Sequence, residues 1–251
     1  MVLGVLQARM SSTRLPEKVL RPILGRPMLA RQLERVADAT MIDTLAVATS
    51  TEKDDDPIEQ LCSTIGISCY RGSLPDVLDR YYGCAQQFGG DTIVRLTGDC
   101  PLADPDIIDQ AIVLFQRGGA DYVSNSVERT FPRGLDVEVF SFEALETSYR
   151  HAKLAGEREH VTPYIYTHPL QFSLCQLTQV EDMSHHRWTV DEPEDFEFVS
   201  RVYETLYPRN PRFRTADILK LLEQEPNLIS INAHIGSGAN QARPARAEVA
   251  R

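Results

Sequence analysis

The stretch QARMSSTRLPEKVL, residues 7–20, concentrates side chains that handle phosphate. Arg9, Arg14 and Lys18 place three cations on one short loop. The small polar residues Ser11, Ser12 and Thr13 let the backbone approach phosphate oxygens, and Pro16 stiffens the segment. Backbone N–H donors with fixed cations are what a triphosphate requires, because negative charge grows on pyrophosphate as it leaves. Two aspartates stand apart from this loop. Asp99 lies in RLTGDCP, residues 95–101, and Asp191 in TVDEPEDF, residues 189–196. Each also suits a turn or a helix cap. Together, two carboxylates from distant segments can bracket one hard cation such as Mg²⁺, with water filling its other positions.

Several chemistries are set aside by what the sequence lacks. It contains neither GxxxxGK[ST] nor GxGxxG, which removes the usual signatures of P-loop kinases and dinucleotide-dependent dehydrogenases. Cys100 has no activating base beside it and reads as a buried thiol. His185 and His186 are adjacent and point apart on a strand, and His151, His160, His168 and His234 lack zinc spacing. Asp54, Asp55 and Asp56 read as a solvated helix start, and Trp188 as core or site wall. Asp104-Pro105-Asp106 has the DxD spacing of metal-dependent glycosyltransferases but looks like a helix N-terminus.

The elements that must carry these groups alternate. Apolar runs at Val2–Leu6, Leu45–Ala48, Ile67–Tyr70, Thr92–Leu96 and Tyr122–Ser124 predict strands. Helical periodicity predicts helices at Pro27–Ala37, Ile58–Ile65, Leu74–Phe88 and Pro105–Phe115. This order predicts an α/β fold, a mostly parallel sheet between helices, whose ligands bind beyond the carboxyl ends of the strands. The loops after Leu6, Tyr70 and Leu96 are therefore the expected site. Leu135–Phe140 alternates like an antiparallel strand, with Val137 and Val139 on one face and Asp136, Glu138 and Phe140 on the other, and Phe172–Leu177 alternates again. Helices are expected at Phe142–Ala152, Pro193–Leu206 and Thr215–Leu222, with a short one at Glu159–Tyr166 strained by Pro163 and a last strand near Leu228–Ile231. In PRGLDVEVF, residues 132–140, Arg133 could meet an acceptor carboxylate, while Asp136 and Glu138 could face it or a dimer partner.

The chain of 251 residues is expected to form one domain over 1–235, with a mobile tail at 236–251 that carries almost no bulky apolar residue. A formal net charge of −10 argues against general nucleic-acid binding. The first 36 residues invert that balance, with Arg9, Arg14, Lys18, Arg21, Arg26, Arg31 and Arg35 against Glu17 and Glu34, which suggests a local anion site. Five cysteines without a CxxC pair read as reduced thiols. With no secretory leader and no membrane-length apolar run in the sequence, a cytoplasmic enzyme is expected.

QARMSSTRLPEK, RLTGDCP, EREHVTPYIY and VDEPEDF occur in this order, and over residues 2–207 the sequence resembles cytidylyltransferases of the spore-coat polysaccharide biosynthesis type. It is more distantly similar to the enzymes that make CMP-activated 3-deoxy-manno-octulosonate and CMP-sialic acid. The resemblance implies a nucleotide-diphospho-sugar transferase (GT-A-like) fold with a small antiparallel extension, an acceptor and dimer subregion near 130–180, and a homodimer. It implies that Arg9, Arg14 and Lys18 contact the phosphates of CTP, that Ala8 to Thr13 lie along the nucleotide, and that Asp99 and Asp191 bind Mg²⁺. Arg71, Gly72, Asp79 and Arg80 would close the nucleotide pocket. Glu159 and His160, with Arg133 and Glu138, would meet a small anionic acceptor. Two departures bear on that acceptor: Cys100 stands where octulosonate enzymes carry an acidic residue, and Gln7-Ala8-Arg9 where they open with proline-alanine-arginine.

Overall fold

The computed structural model describes residues 1–235, and the expected tail at 236–251 lies outside the described residues. Alternation along the first strand, β1 (Val2–Gln7), sets the architecture. Val2 and Leu6 point into one apolar cluster, and Leu3 and Val5 into another on the opposite face. A strand buried on both faces needs helices on both sides. The ribbon of β2 (Pro22–Ile23) and β3 (Arg26–Pro27) follows, then helix α1 (Met28–Val36). The sheet continues with β4 (Thr44–Ser50), α2 (Asp56–Ile65), β5 (Ser68–Gly72), α3 (Val77–Phe88), β6 (Thr92–Thr97), α4 (Pro105–Gln116) and β7 (Tyr122–Ser124).

The second half contributes β8 (Glu138–Ser141), α5 (Phe142–His151), α6 (Ala155–His160), α7 (Pro163–Tyr166), β9 (Leu174–Gln176), α8 (Pro193–Leu206) and α9 (Thr215–Gln224). The main sheet runs β5-β4-β1-β6-β8-β7-β9. β5, β4, β1 and β6 are mutually parallel, and β8 is antiparallel to both its neighbours. The antiparallel strand is thus inside the main sheet, and the small separate antiparallel sheet is β2–β3. One apolar cluster joins the sheet to α1, α2, α4, α8 and α9; the other joins it to α3, α5 and α7.

Two expectations need correction. Residues 159–166 do not form one strained helix. The chain breaks at Val161, a buried residue at φ 72°, and Pro163 then opens α7, where its missing N–H costs nothing. The last apolar run is a 3-10 helix over Pro226–Ile231, opened by Pro226, whose fixed φ suits a helical first turn.

Register decides where chemistry can occur. Gln7 lies opposite Ala48 on one side and Thr97 on the other, so β1 and β6 end level while β4 runs on to Ser50. The loop after residue 7 and the loop after residue 97 therefore leave the sheet side by side. Gly98 permits this: its N–H donates to the Gln7 carbonyl at 2.8 Å, and a Cβ there would lie 3.0 Å from that oxygen.

Candidate active site

The basic loop is pinned at its start and turned outward at its end. Ala8 N–H donates to the Ala48 carbonyl at 3.2 Å. Met10 N–H donates to Asp55 Oδ1 at 2.7 Å, and Ser50 N–H to Asp55 Oδ2 at 3.2 Å. Asp55 is 2% exposed, which corrects the reading of residues 54–56 as solvated throughout. Leu15 and Val19, four residues apart, are buried. They anchor the loop so that Arg14 and Lys18 are presented at its open side. Ser11 and Thr13 are exposed, and Ser12 Oγ accepts the Leu15 N–H at 3.4 Å.

The two aspartates converge on the last cation of this loop. Lys18 Nζ lies 2.9 Å from Asp191 Oδ1 and 3.9 Å from Asp99 Oδ2, and it donates to the Val190 carbonyl at 2.6 Å. Arg14 reaches Asp191 at 3.3 Å and Glu192 at 2.9 Å. The segments carrying the aspartates are also tied by backbone: the Asp99 carbonyl accepts Val190 N–H at 2.7 Å and Thr189 Oγ1 at 3.2 Å.

Neither aspartate serves as a helix cap. Asp195 accepts the N–H groups of Asp191 and Glu192 at the start of α8, each at 3.0 Å. Asp104 caps α4 by accepting Asp106 N–H at 3.0 Å, and its other oxygen takes Thr215 N–H at 2.7 Å. That employment removes Asp104-Pro105-Asp106 as a metal element. Asp99 spends Oδ1 on Thr97 Oγ1 at 2.5 Å and turns Oδ2 toward Lys18. Two carboxylates facing one cation position suit a hard divalent ion that keeps its remaining positions for water and phosphate oxygens. Among the described residues no cluster of three His, Cys, Asp or Glu could form a fuller protein cage.

The other cations divide sharply. Arg31 and Arg35 are buried and committed to carbonyls and rings: Arg31 to Ile23, Leu24 and the face of Tyr207, Arg35 to Ala103, Phe213 and the Phe213 ring. Arg26 pairs with Glu34, and Arg21 Nε donates to the Pro16 carbonyl at 3.4 Å. The seven cations of the first 36 residues therefore do not all serve an anion site. Arg9 is exposed and has no ion-pair partner among the described residues. Arg80 is 1% exposed, donates to the Ser73 carbonyl at 3.2 Å, and leaves Nε unpaired. Burial, and to a smaller degree the nearby Arg9 charge, holds Arg80 below the usual arginine value. A buried guanidinium beside a second one, with no bonded carboxylate, favours an anion. Cys100 is the opposite case. Burial, then Asp99, pushes its thiol well above the ordinary cysteine value, so it stays protonated and is no nucleophile.

These features fall within a stretch that matches a known family. Residues 3–224 match the model of the cytidylyltransferase family. The chain belongs to that family. The spore coat polysaccharide biosynthesis protein SpsF of Bacillus subtilis is 34% identical over 235 residues, spanning 90% of this chain and 95% of the relative. A cytidylyltransferase structure from Leptospira borgpetersenii superposes with a TM-score of 0.87 at 34% identity, covering 91% of this chain and 96% of that one. A CMP:2-keto-3-deoxy-manno-octonic acid synthetase complexed with CTP shares the fold, with a TM-score of 0.64 at 17% identity over 81% of this chain and 98% of that one. The protein is a nucleotidyltransferase, with the parallel-sheet α/β fold expected from its alternating elements and the nucleotidyltransferase-like form implied by the resemblance.

In this cytidylyltransferase the remaining expected residues lie at several places. Gly72 ends β5 against Arg80: a Cβ there would sit 3.2 Å from Arg80 Cγ and 2.8 Å from the Tyr70 ring. Asp79 is half-buried in the first turn of α3. Arg71 is already committed to the Ser50 and Glu52 carbonyls and to Asp56 and Glu59. Arg133 is exposed and carries no ion pair among the described residues. Glu159 and His160 are exposed at the end of α6. Glu138 requires correction. Its side chain is 7% exposed and tied to Arg95, Tyr122 and Thr162, because α6 and α7 cover that face of β8. It is a core carboxylate, closed to an acceptor in this structure. Asp55, which holds the basic loop, and Asp195, which holds the backbone at Asp191 and Glu192, are buried carboxylates that sequence reasoning missed. An N-cap pattern, Asp-Glu-Pro followed by Asp195, was the one available signal.

Proposed function

We propose that this enzyme transfers the cytidylyl group of CTP to an acidic sugar or related anionic acceptor, releasing pyrophosphate, in surface-glycan biosynthesis. The observation that carries the reading is the convergence of Lys18, Asp99 and Asp191 at the carboxyl ends of β1 and β6. An acceptor oxygen attacks the α-phosphorus, the bond from that phosphorus to the bridging oxygen breaks, and pyrophosphate leaves. Arg9, Arg14 and Lys18 stabilise the charge that accumulates on the departing group. The backbone from Ala8 to Thr13, with Ser11 and Ser12, lies along the nucleotide, and Gly72, Asp79 and Arg80 border it.

Asp99 Oδ2 and Asp191 Oδ1 would hold Mg²⁺, which when bound aligns phosphate oxygens and offsets their charge. Arg133, with Glu159 and His160, lies on the acceptor side, and an exposed arginine without a carboxylate partner matches an anionic acceptor. A neighbouring carboxylate can take the proton of an attacking hydroxyl, and a phosphonate or phosphate acceptor would need no base. We assign the protein to the cytoplasm and expect a homodimer; among the described residues, no helix is long and apolar enough to cross a membrane.

The test is Lys18→Ala. Removing a cation aimed at developing charge should lower kcat about 10²- to 10³-fold with the circular dichroism spectrum unchanged. Cytidylyl transfer near the wild-type rate in that variant would remove the loop from the phosphate site.

A further inference from the structure

Asp191 does not stand alone. Behind it lies Asp195, fully buried, whose carboxylate accepts five hydrogen bonds. Arg187 supplies two, Nε to Oδ1 and Nη2 to Oδ2, both at 2.8 Å. The backbone N–H groups of Asp191 and Glu192 supply two more at 3.0 Å. Asn232 Nδ2 supplies the fifth at 2.9 Å, and also donates to the Arg187 carbonyl at 2.9 Å. Arg187 Nη2 then reaches forward to Asp191 Oδ2 at 3.3 Å. The contacts on Asp191 are therefore divided: Oδ2 faces Arg187, and Oδ1 faces Lys18 and Arg14.

We propose that Arg187, Asp195 and Asn232 form a positioning clamp that fixes Asp191 with Oδ1 turned toward the cation position. This inference rests on the reading of Asp191 as a metal ligand. Its physical basis is division of labour. A carboxylate free to rotate presents either oxygen and loses side-chain freedom on binding a cation. One with its backbone N–H capped and one oxygen held has already lost that freedom. The guanidinium fork matters, because it grips Asp195 with two parallel bonds and still has Nη2 near Asp191, whereas an ammonium cannot occupy both places. Asn232 brings in the segment after the 3-10 helix at Pro226–Ile231 and closes the clamp from behind. None of the three lies in the basic loop or contributes an oxygen to the cation position. They act through Asp191 alone.

The experiment measures Mn²⁺ binding by electron paramagnetic resonance with CTP present, beside melting temperature, in four proteins: wild type, Asp191→Asn, Arg187→Lys and Asn232→Ala. Partners behind a metal ligand typically tune affinity about 10- to 100-fold. Arg187→Lys is expected to weaken Mn²⁺ binding by about tenfold or more, and Asn232→Ala by a smaller factor in the same direction. Asn232→Ala strands no charge in the interior, so it carries the test if Arg187→Lys fails to fold. A clamp that is merely structural would lower the melting temperature and leave Mn²⁺ affinity within twofold of wild type, which overturns the proposal. The two layers of the reading separate cleanly. If Asp191→Asn binds Mn²⁺ as the wild type does, the ligand assignment fails. If Asp191→Asn loses the ion and both clamp variants keep it, the assignment stands and the clamp is refuted.

Discussion

At the scale of single residues, function depends on which charges stay out of the core. The chain has many arginines near its start, yet Arg31 and Arg35 are spent on carbonyls and aromatic rings, whereas Arg14 and Lys18 reach Asp191 and Arg9 stays exposed. Asp55 shows the same logic among carboxylates. It is buried to hold Met10 N–H and Ser50, so its work is to set the path of the basic loop. Asp55→Asn, which keeps shape but replaces one acceptor oxygen by a donor, is expected to raise KM for CTP about tenfold, because a buried group would be left mismatched by about 1–3 kcal/mol. Steady-state kinetics checks this, and an unchanged KM would show that the loop holds its path without Asp55. Arg9, Arg14, Lys18, Asp99 and Asp191 were visible in the sequence because each lies in a compact run of meaningful neighbours. Asp55 was not, because its partner is 45 residues away and its immediate neighbours are two solvated aspartates. Glu138 misled for a related reason. Alternation placed it correctly on the face opposite Val139, but no local signal says that α6 and α7 cover that face.

At the scale of elements, strand ends do the positioning. β1 and β6 stop level, and the loops after them meet because Gly98 allows backbone contact. Gly134 plays a similar part for the segment before Asp191. It sits at φ 103°, and a Cβ there would lie 2.5 Å from Thr189 N and from the Trp188 carbonyl carbon. Gly134→Ala is therefore expected to destabilise the fold by about 2 kcal/mol or more, from steric overlap and left-handed backbone strain together. Urea denaturation measures it, and a change below 0.5 kcal/mol would mean that the two segments part easily. The strands and long helices were legible because periodicity is a local signal. The break at Val161 was not, because a β-branched residue at positive φ is held by its surroundings, here a buried side chain between α6 and α7.

At the scale of the whole molecule, one sheet with helices on both faces presents a single edge where the parallel strands end, and Arg14 with Lys18, Asp99 and Asp191 meet there from three stretches of chain. The region around His185 to Trp188 also links folding to pH. Burial, then the neighbouring His185, lowers His186 from its ordinary value of 6.5 to about 4. Between those values the unfolded chain binds the proton more readily, so stability is present above pH 6.5 and is lost as pH falls toward 4. The melting temperature should decline through that window, and His186→Gln should flatten the decline; an identical slope in the variant would assign the acid sensitivity elsewhere. The central claim is cytidylyl transfer with pyrophosphate as the leaving group. ³¹P nuclear magnetic resonance of the enzyme with CTP, Mg²⁺ and a panel of acidic-sugar acceptors tests it most directly. The account predicts pyrophosphate and a new CMP ester with one acceptor, in equal amounts. Formation of CDP, or CTP left unchanged across the whole panel, would contradict it.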